Sequence, residues 1–310
     1  MSHPGLIPVA VAVAVDRYAV LGNPVAHSRS PAIHTAFAAQ TGQALHYGRL
    51  ECPLDGFAAA VRGFAASVSA DAADAGSGNA PTGPARGCNV TVPFKFEALT
   101  LAARATDRAR LAGAANTLRF DSTADGGWLA DNTDGVGLVR DLQHNAGWLL
   151  AGRRVLLLGA GGAAAGVLGP LLTAQPASLV LANRSLDNAQ ALAARHAAWA
   201  AAQGVPLSVC TFAEAGALPA FDAVINASAS SLAGVAAPVD AAVLAPGALA
   251  MDLMYGAAAL PFLNWAHAAG AQGRDGLGML VEQAAEAFTL WRGVRPETAP
   301  VLAALRQQIR

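Results

Sequence analysis

The sequence predicts an α/β fold made of two α/β domains, one of which contains a doubly wound parallel sheet. Strand-like and helix-like segments alternate through the second half of the chain, as they do in parallel sheets. A length of 310 residues is sufficient for two domains, and a charged fraction of only 13% with a mean hydropathy of +0.38 indicates large buried sheets. The third observation is a glycine-rich turn between a strand and a helix at the centre of the chain.

The first predicted elements are a short strand, Tyr18–Leu21, and a helix that follows a turn. The preceding stretch Leu6–Val15 is apolar, lacks a basic leading region and is too short to span a bilayer, so we interpret it as a frayed extension or an edge strand. Ser30 is placed to cap the helix, with Pro31 in its first turn. Ser28 and Ser30 also suit a carboxylate ligand, and a capped helix without a ligand is the alternative.

The next elements are a strand at Leu45–Leu50 and a helix at Leu54–Ala66, after which the composition changes. Between Ser67 and Arg86 the chain consists mainly of Ala, Gly, Ser, Asp and Pro, with no large apolar residue beyond Val68. Such a composition cannot supply a core, so we expect an exposed, mobile insertion without a chemical role.

A strand that ends at a proline follows, and it groups three polar side chains. Asn89 and Thr91 alternate onto one face of this strand, and Lys95 lies just beyond its end between Phe94 and Phe96. Desolvation among apolar neighbours would lower the pKa of this lysine and make it useful for proton transfer. A solvated surface lysine is the alternative.

Two later segments add an amide and a carboxylate. Asn116 lies in the small, apolar stretch Leu111–Leu118, where a buried side-chain amide needs a backbone or ligand partner. Asp131 and Asp134 precede a helix predicted over Val136–His144. Asp134 is a candidate catalytic carboxylate, and capping of that helix is the alternative.

The glycine-rich turn follows an apolar strand, Arg153–Leu158, and leads into an alanine-rich helix. Gly159, Gly161 and Ala164 match the pattern G-x-G-x-x-[G/A]. The first glycine permits a tight turn, the second lets the backbone approach a pyrophosphate, and the helix N-terminus supplies free N–H donors. Alanine-rich chains produce chance matches, so the prediction of a dinucleotide site depends on the strand before the turn and the helix after it.

The end of the next strand, Ser178–Asn183, predicts the choice of cofactor. An acidic residue there would bind the ribose 2′-hydroxyl of NAD, whereas an arginine accommodates the 2′-phosphate of NADP. This chain has Asn183 and Arg184 at that point and no acidic residue, about 20 residues beyond the glycines. We therefore expect NADP, with an ordinary surface arginine as the alternative.

The remaining segments complete the second domain. Helices are predicted at 186–202 and 260–269, and strands at 207–210, 221–227 and 248–253. The stretch 275–283 leads into a further long apolar helix through Phe288, Leu290 and Trp291. The glycine-flanked start of this last helix could close over a ligand, although core packing explains most of the helix equally well.

The composition argues against several kinds of partner. The net charge is −1 at pH 7 and the basic residues are scattered, so no nucleic-acid partner is expected. No membrane partner is expected either, because Gly, Pro or charged residues interrupt the apolar segments. Cys52, Cys88 and Cys210 form no C-x-x-C pair and are odd in number, which argues against a disulfide framework or a metal site and favours a reducing cytoplasm.

Taken together, these segments resemble the shikimate dehydrogenase family from about Tyr18 to the end of the chain. The segments that carry the resemblance occur in the family's order: Gly22-Asn23-Pro24, His27-Ser28-Arg29-Ser30-Pro31, Asn89-Val90-Thr91-Val92-Pro93-Phe94-Lys95, Gly113-Ala114-Ala115-Asn116-Thr117, Asn132-Thr133-Asp134-Gly135, Gly159-Ala160-Gly161-Gly162-Ala163, Asn183-Arg184-Ser185 and Gly276-Leu277-Gly278-Met279-Leu280. The resemblance implies reversible, NADP-dependent reduction of 3-dehydroshikimate to shikimate in chorismate and aromatic amino acid biosynthesis.

The resemblance also implies roles for individual residues. Lys95 and Asp134 resemble the catalytic pair. The residues that resemble the substrate site are Ser28, Ser30, Asn89, Thr91, Asn116, Tyr255 and Gln283. The residues that resemble the cofactor site are Gly159, Ala160, Gly161, Gly162, Ala163, Asn183, Arg184, Ser185 and Gly276.

The domain division follows from the same resemblance. We expect a substrate-binding domain at residues 17–133 and 281–310, a Rossmann-like NADP-binding domain at 134–280, and an N-terminal extension at 1–16. The C-terminal helix then returns to the first domain, and the site lies in a cleft that closes by a hinge. A monomer and a homodimer both remain open.

Two departures from the family pattern affect the cofactor domain. Asn188 replaces a second basic residue four positions beyond Arg184, so NAD could be tolerated. The loop Ala227-Ser228-Ala229-Ser230 replaces one of the Ala-Thr-Ser-Ser type, which leaves its contacts in question.

Two rival functions are considered. The nearer is a quinate/shikimate dehydrogenase that uses NAD(P), against which Ser28 with Ser30 and Arg184 favours the shikimate type. The other is a non-catalytic dinucleotide-binding sensor, which has no need to retain both Lys95 and Asp134.

Overall fold

In the computed structural model, the chain forms two α/β domains, each built on a six-stranded sheet. The structure describes residues 15–67, 83–231 and 234–309. The interpretations offered for the apolar start of the chain and for most of the insertion after Ser67 fall outside these residues. The three cysteines of the sequence lie within them and are buried and free.

The first sheet is mixed and carries the predicted substrate residues. Its strands are β1 (Asp16–Gly22), β2 (Leu45–Glu51), β3 (Ala85–Val90), β4 (Arg104–Ala105), β5 (Thr117–Arg119) and β6 (Leu129–Asp131). They lie in the order β2-β1-β3-β5-β6-β4, with β5 antiparallel to its two neighbours. Strand β1 begins at Asp16, two residues before the predicted strand, and β3 begins at Ala85.

The second sheet is fully parallel, as a doubly wound domain requires. Its strands are β7 (Arg154–Leu158), β8 (Ser178–Asn183), β9 (Leu207–Thr211), β10 (Phe221–Asn226), β11 (Leu244–Asp252) and β12 (Gln272–Arg274). In the order β12-β11-β10-β7-β8-β9, the chain leaves β7 toward β8 on one side and later returns to β10 on the other. Doubly wound folds bind ligands at such a switch point, beyond the carboxyl end of β7.

Helices cover both sheets. They are α1 (Ser30–Thr41), α2 (Phe57–Ala66), α3 (Lys95–Thr100), α4 (Asp107–Ala112), α5 (Asp134–Arg140), α6 (Gly162–Thr173), α7 (Leu186–Gln203), α8 (Phe212–Ala215), α9 (Leu260–Ala268), α10 (Leu277–Arg292) and α11 (Ala299–Gln308). Apolar side chains of β7 and β8 are buried on both faces of the second sheet, which explains their nearly continuous apolar sequence. Within the described ranges, no helix combines the length and apolar character needed to cross a membrane.

Three predicted helix starts are corrected. Ser30 is the first residue of α1 and Arg29 is its N-cap, with no side-chain capping bond. Helix α2 begins later than predicted, at Phe57, because the chain before this buried side chain forms a turn. The helix expected after Asp134 begins at Asp134 itself and continues as a π-helical turn, Asp141–Asn145.

Helices α5, α6 and α10 pack closely where the two domains meet. A Cβ on Gly137 would lie 2.7 Å from the Cβ of Gln283 in α10, and one on Gly135 would lie 2.6 Å from the carbonyl oxygen of Gly166 in α6. These close approaches leave room only for glycine. They bring the start of α5 against the helix that follows the glycine-rich turn.

Candidate active site

The glycine-rich turn has the geometry expected of a pyrophosphate site. Gly159 has φ +105°, and a Cβ there would lie 2.9 Å from the carbonyl oxygen of Ala227, so a side chain is excluded on both grounds. Gly161 is the N-cap of α6, and a Cβ on it would meet nothing within 4 Å. Gly162 and Ala163 lie in the first turn of α6, so their N–H groups have no acceptor within the helix.

The end of β8 fits the 2′-phosphate of NADP. Asn183 Nδ2 donates a hydrogen bond to the carbonyl oxygen of Ser185, the N-cap of α7, at 2.9 Å. Arg184 lies exposed between them. An amide, a guanidinium and a hydroxyl thus follow one another at residues 183–185, and the next acidic residue along the chain is Asp187 in the first turn of α7. The glycine-rich turn and these three residues together fit NADP.

Lys95 and Asp134 lie together in the structure. Lys95 Nζ is 2.5 Å from Asp134 Oδ2, and the side chains are 16% and 2% exposed, respectively. Lys95 is the first residue of α3 and Asp134 the first of α5, so the pair joins two helix starts. A Cβ on Gly162 would lie 3.5 Å from the Lys95 Cβ. The ion pair therefore lies beside the glycine-rich turn.

The use of lysine at this position is distinctive. Lys95 is the only lysine among the 20 lysine and arginine residues of the sequence. Arginine stays protonated in proteins, whereas lysine releases its proton when its surroundings favour the neutral amine. The single lysine of the sequence thus lies beside the buried carboxylate of Asp134 and next to the glycine-rich turn.

Asn116 is buried and orients the carboxylate of Asp134. Its Nδ2 contacts Asp134 Oδ1 at 2.8 Å, Thr133 Oγ1 at 2.9 Å and Gln283 Oε1 at 3.0 Å. Its Oδ1 accepts a hydrogen bond from the Thr133 backbone N–H at 2.9 Å. The partners that a buried amide needs are therefore protein groups, and Oδ2 of Asp134 is left for Lys95.

A buried ion pair that sequence reasoning missed lies behind this segment. Asp131 has no exposed surface and accepts two hydrogen bonds from Arg108, at 2.7 and 2.5 Å. The same carboxylate accepts hydrogen bonds from Thr106 Oγ1 at 2.6 Å and from the Asn132 N–H at 2.7 Å. Burial opposes the charge of Arg108, but Asp131 and Glu286 outweigh it and raise the pKa of the guanidinium. The pair thus anchors the backbone just before Asp134.

The two predicted serines lie at the start of α1, although not in the capping arrangement expected. Ser28 Oγ donates to Ser30 Oγ at 3.2 Å and accepts from the Ser30 N–H at 3.3 Å, so Ser28 bonds the first N–H of the helix. Arg49, a residue without a sequence signal, donates to the Ser28 carbonyl oxygen at 3.1 and 2.7 Å. Burial raises the pKa of Tyr255, with the charge of Arg29 opposing it. Two hydroxyls, a neutral phenol and arginines thus surround this helix start.

Asn89 and Thr91 lie at the carboxyl end of β3. The strand ends before Thr91, whose methyl group takes the space that a side chain on Gly22 would need. Asn89 Oδ1 accepts a hydrogen bond from the hydroxyl of Tyr47 at 2.6 Å. Tyr47 is a further residue that sequence reasoning missed, because its segment predicts only a strand.

The loop after β10 and the start of α10 are explained by packing. Asn226 Oδ1 accepts hydrogen bonds from the Ser228 N–H at 3.1 Å and from Ser228 Oγ at 2.6 Å, which holds the loop that departs from the family pattern. Gly276 lies against the carbonyl oxygen of Leu253, where a Cβ would collide. Among residues 15–67, 83–231 and 234–309, no group of three or more His, Cys, Asp or Glu side chains could hold a metal ion.

Comparison with known proteins decides the family. A shikimate dehydrogenase (NADP(+)) of Methylibium petroleiphilum is 63% identical over 298 residues, which are 96% of this chain and 96% of the relative. The chain belongs to the shikimate dehydrogenase family. Family profiles match in three places: the shikimate dehydrogenase substrate binding domain at 20–118, shikimate/quinate 5-dehydrogenase at 142–241, and the shikimate 5′-dehydrogenase C-terminal domain at 276–306.

Solved structures related to this shikimate dehydrogenase family member share its fold. An Ael1 enzyme from Pseudomonas putida is 45% identical with a TM-score of 0.79, over 94% of this chain and 98% of that one. Shikimate 5-dehydrogenase from Thermus thermophilus, in complex with NADP(H) and shikimate, is 28% identical with a TM-score of 0.74 over the same shares. The predicted two-domain α/β fold and the family resemblance are confirmed.

Proposed function

We propose that this chain catalyses the reversible, NADP-dependent reduction of 3-dehydroshikimate to shikimate, a step of aromatic amino acid biosynthesis. The observation that carries the proposal is the Lys95–Asp134 ion pair beside the first turn of α6. The names of relatives that are 57–63% identical and the ligands of the Thermus thermophilus structure support the same substrate and cofactor.

The reaction requires one proton at the oxygen atom that becomes a hydroxyl. NADPH, when bound, supplies a hydride to the carbonyl carbon. Lys95 donates a proton to the carbonyl oxygen and takes it back in the oxidative direction. Asp134 holds the ammonium group in place, and Asn116 fixes Asp134. Because Lys95 is partly exposed, the amine regains its proton from water.

The polar side chains around the pair are assigned to the two ends of the substrate. Ser28, Ser30 and Tyr255 hold the substrate carboxylate at the start of α1, where the helix dipole favours an anion. Asn89, Thr91 and Gln283 bind the ring hydroxyls beside Asn116. A substrate that lacks one of these hydroxyls would leave a polar group of the pocket unpaired, so the site selects by polar matching.

The cofactor is assigned to the edge of the second sheet. Residues 159–163 hold the pyrophosphate, Asn183, Arg184 and Ser185 hold the 2′-phosphate side, and Gly276 allows the start of α10 to approach. We propose the domain division at 17–133 with 281–310 and at 134–280, with hinge closure of the intervening cleft. We also propose that the protein is a monomer or a homodimer. We propose the cytoplasm as its location.

The decisive assay uses purified protein with shikimate or quinate and with NADP⁺ or NAD⁺, in four parallel arms. We expect robust reduction of the cofactor with shikimate and NADP⁺ and much weaker turnover in the other arms. A preference for quinate with NAD⁺ would assign the chain to the quinate type. Binding of NADP⁺ without turnover in any arm would support the sensor and contradict the proposal.

Replacing Arg184 with glutamine is expected to raise the KM for NADP⁺ by about 10- to 100-fold, because charge-assisted hydrogen bonds to the 2′-phosphate are lost. The KM for NAD⁺, which has no 2′-phosphate, should change less than about twofold. Steady-state kinetics with both cofactors measures the ratio. The matched control is Arg62→Gln, which removes an exposed arginine from α2. Equal losses with both cofactors would contradict the role of Arg184.

A further inference from the structure

We propose that Tyr47 is a positioning residue of the substrate pocket, which holds the Asn89 amide in the orientation that accepts a substrate hydroxyl. The inference rests on the proposed function, in which Asn89 binds a ring hydroxyl. Tyr47 lies in β2, separated from Asn89 in β3 only by β1, so its side chain crosses the face of the middle strand.

The hydrogen bonds of Asn89 agree on one orientation of its amide. The Tyr47 hydroxyl donates to Asn89 Oδ1 at 2.6 Å. On the other side, Asn89 Nδ2 donates to the carbonyl oxygen of Asn116 at 3.2 Å and to Thr117 Oγ1 at 3.0 Å. A half-turn of the amide would place its oxygen against the Asn116 carbonyl, so that orientation is excluded. Oδ1 keeps a second lone pair, which is available to a hydroxyl donor.

Tyr47 is a permanent donor because its hydroxyl remains protonated. The side chain is 4% exposed, and burial raises the pKa of Tyr47 well above its usual value, an effect that Ser30 partly opposes. Ser30 belongs to the proposed carboxylate end of the pocket, and Asn89 to its hydroxyl end. The same phenol thus interacts with one residue from each proposed end of the pocket.

His34 fixes the ring of Tyr47. The two rings are stacked with centroids 4.2 Å apart and planes 4° apart, and His34 is fully buried. Burial lowers the pKa of His34 to about 3, an effect that Asn89 partly opposes, so the imidazole is neutral at physiological pH. Phe37, Phe288 and Trp291 surround it with further ring contacts. A rigid, uncharged stack thus prevents Tyr47 from turning away from Asn89.

The experiment is a double-mutant cycle of Tyr47→Phe with Asn89→Ala. In the otherwise unchanged enzyme, Tyr47→Phe should lower kcat/KM for shikimate by about tenfold, mainly through KM, because a pre-set hydrogen-bond acceptor is lost. In the Asn89→Ala background, the same substitution should change kcat/KM less than about twofold, since no amide remains to be positioned. The KM for NADP⁺ should stay the same in all four proteins.

The matched control is Tyr18→Phe, which removes the same hydroxyl from the position beside Tyr47 in the register of β1 and β2. Tyr18 contacts Arg292 rather than Asn89, so kcat/KM should stay within about twofold of the wild-type value. Thermal unfolding of each variant shows whether the fold is kept. An equal loss from Tyr47→Phe in both backgrounds, or no loss in either, would overturn the positioning role.

Failure of the proposed function is distinguished from failure of the positioning role by the activity of the wild-type protein. Wild-type protein without turnover would contradict the function, and the cycle would then be repeated on the dissociation constant of shikimate measured by titration calorimetry. Coupling between Tyr47 and Asn89 in that constant supports positioning, and additive effects overturn it.

Discussion

Replacing Lys95 with alanine should lower turnover by at least about 100-fold and by as much as about 10,000-fold, the range that a positioned proton donor contributes. The substitution removes the proposed proton donor to the substrate oxygen, while the glycine-rich turn and the serines at α1 stay in place. Binding of NADP⁺ and shikimate should therefore change little. Single-turnover kinetics and titration calorimetry measure the two effects separately.

The matched variant Lys95→Arg separates proton transfer from charge. Arginine keeps a positive charge beside Asp134 but does not release its proton. We expect its turnover to be as low as that of the alanine variant. If the arginine variant instead retained most of the wild-type turnover, Lys95 would act by charge alone and the proton-transfer role would be wrong.

The parts of the site that depend on local pattern could be predicted from the sequence. The turn at Gly159 is encoded by an apolar strand, glycines and a helix that follow one another directly, and Arg184 lies at a fixed distance beyond them. Neighbours in sequence remain neighbours in the fold in such a unit. The doubly wound sheet was predictable for the same reason, since each strand and helix is read from its own segment.

The pairing of Lys95 with Asp134 was named by family resemblance, because spacing alone does not give it. The two residues start different helices, α3 and α5, and the antiparallel strand β5 lies between β3 and β6 in the sheet. That reversal cannot be read from alternation of apolar residues. Tyr47 and Arg108 were missed for a related reason: each acts through a neighbour that is distant in sequence.

The misplaced helix cap shows a further limit. Ser28 and Ser30 both lie close enough to the start of α1 to offer a hydroxyl to a free N–H of its first turn, and composition does not distinguish them. The structure gives the bond to Ser28, since Ser30 itself has entered the helix. The sequence pattern thus placed both serines at the start of α1 correctly, but it assigned the capping hydrogen bond to Ser30 instead of Ser28.

Replacing Arg108 with alanine should lower the free energy of unfolding by about 3–5 kcal/mol, the usual loss when one partner of a buried ion pair is removed. Asp131 has no exposed surface, and it would keep only its bonds to Thr106 and the Asn132 N–H. Urea unfolding at neutral pH measures the loss. The control is Arg110→Ala on the same helix, whose partner Asp107 is fully exposed, and its midpoint should not change measurably.

The loss in Arg108→Ala should arise from the uncompensated charge of Asp131 rather than from missing packing. Adding Asp131→Asn to Arg108→Ala removes that charge and keeps the shape of the side chain, so the double variant should be more stable than Arg108→Ala alone. A double variant that is less stable than Arg108→Ala would show that the carboxylate is needed for its bonds to Thr106 and the Asn132 N–H. In that case Asp131 would stabilise the segment before Asp134 without Arg108, and the ion pair would not be the anchor.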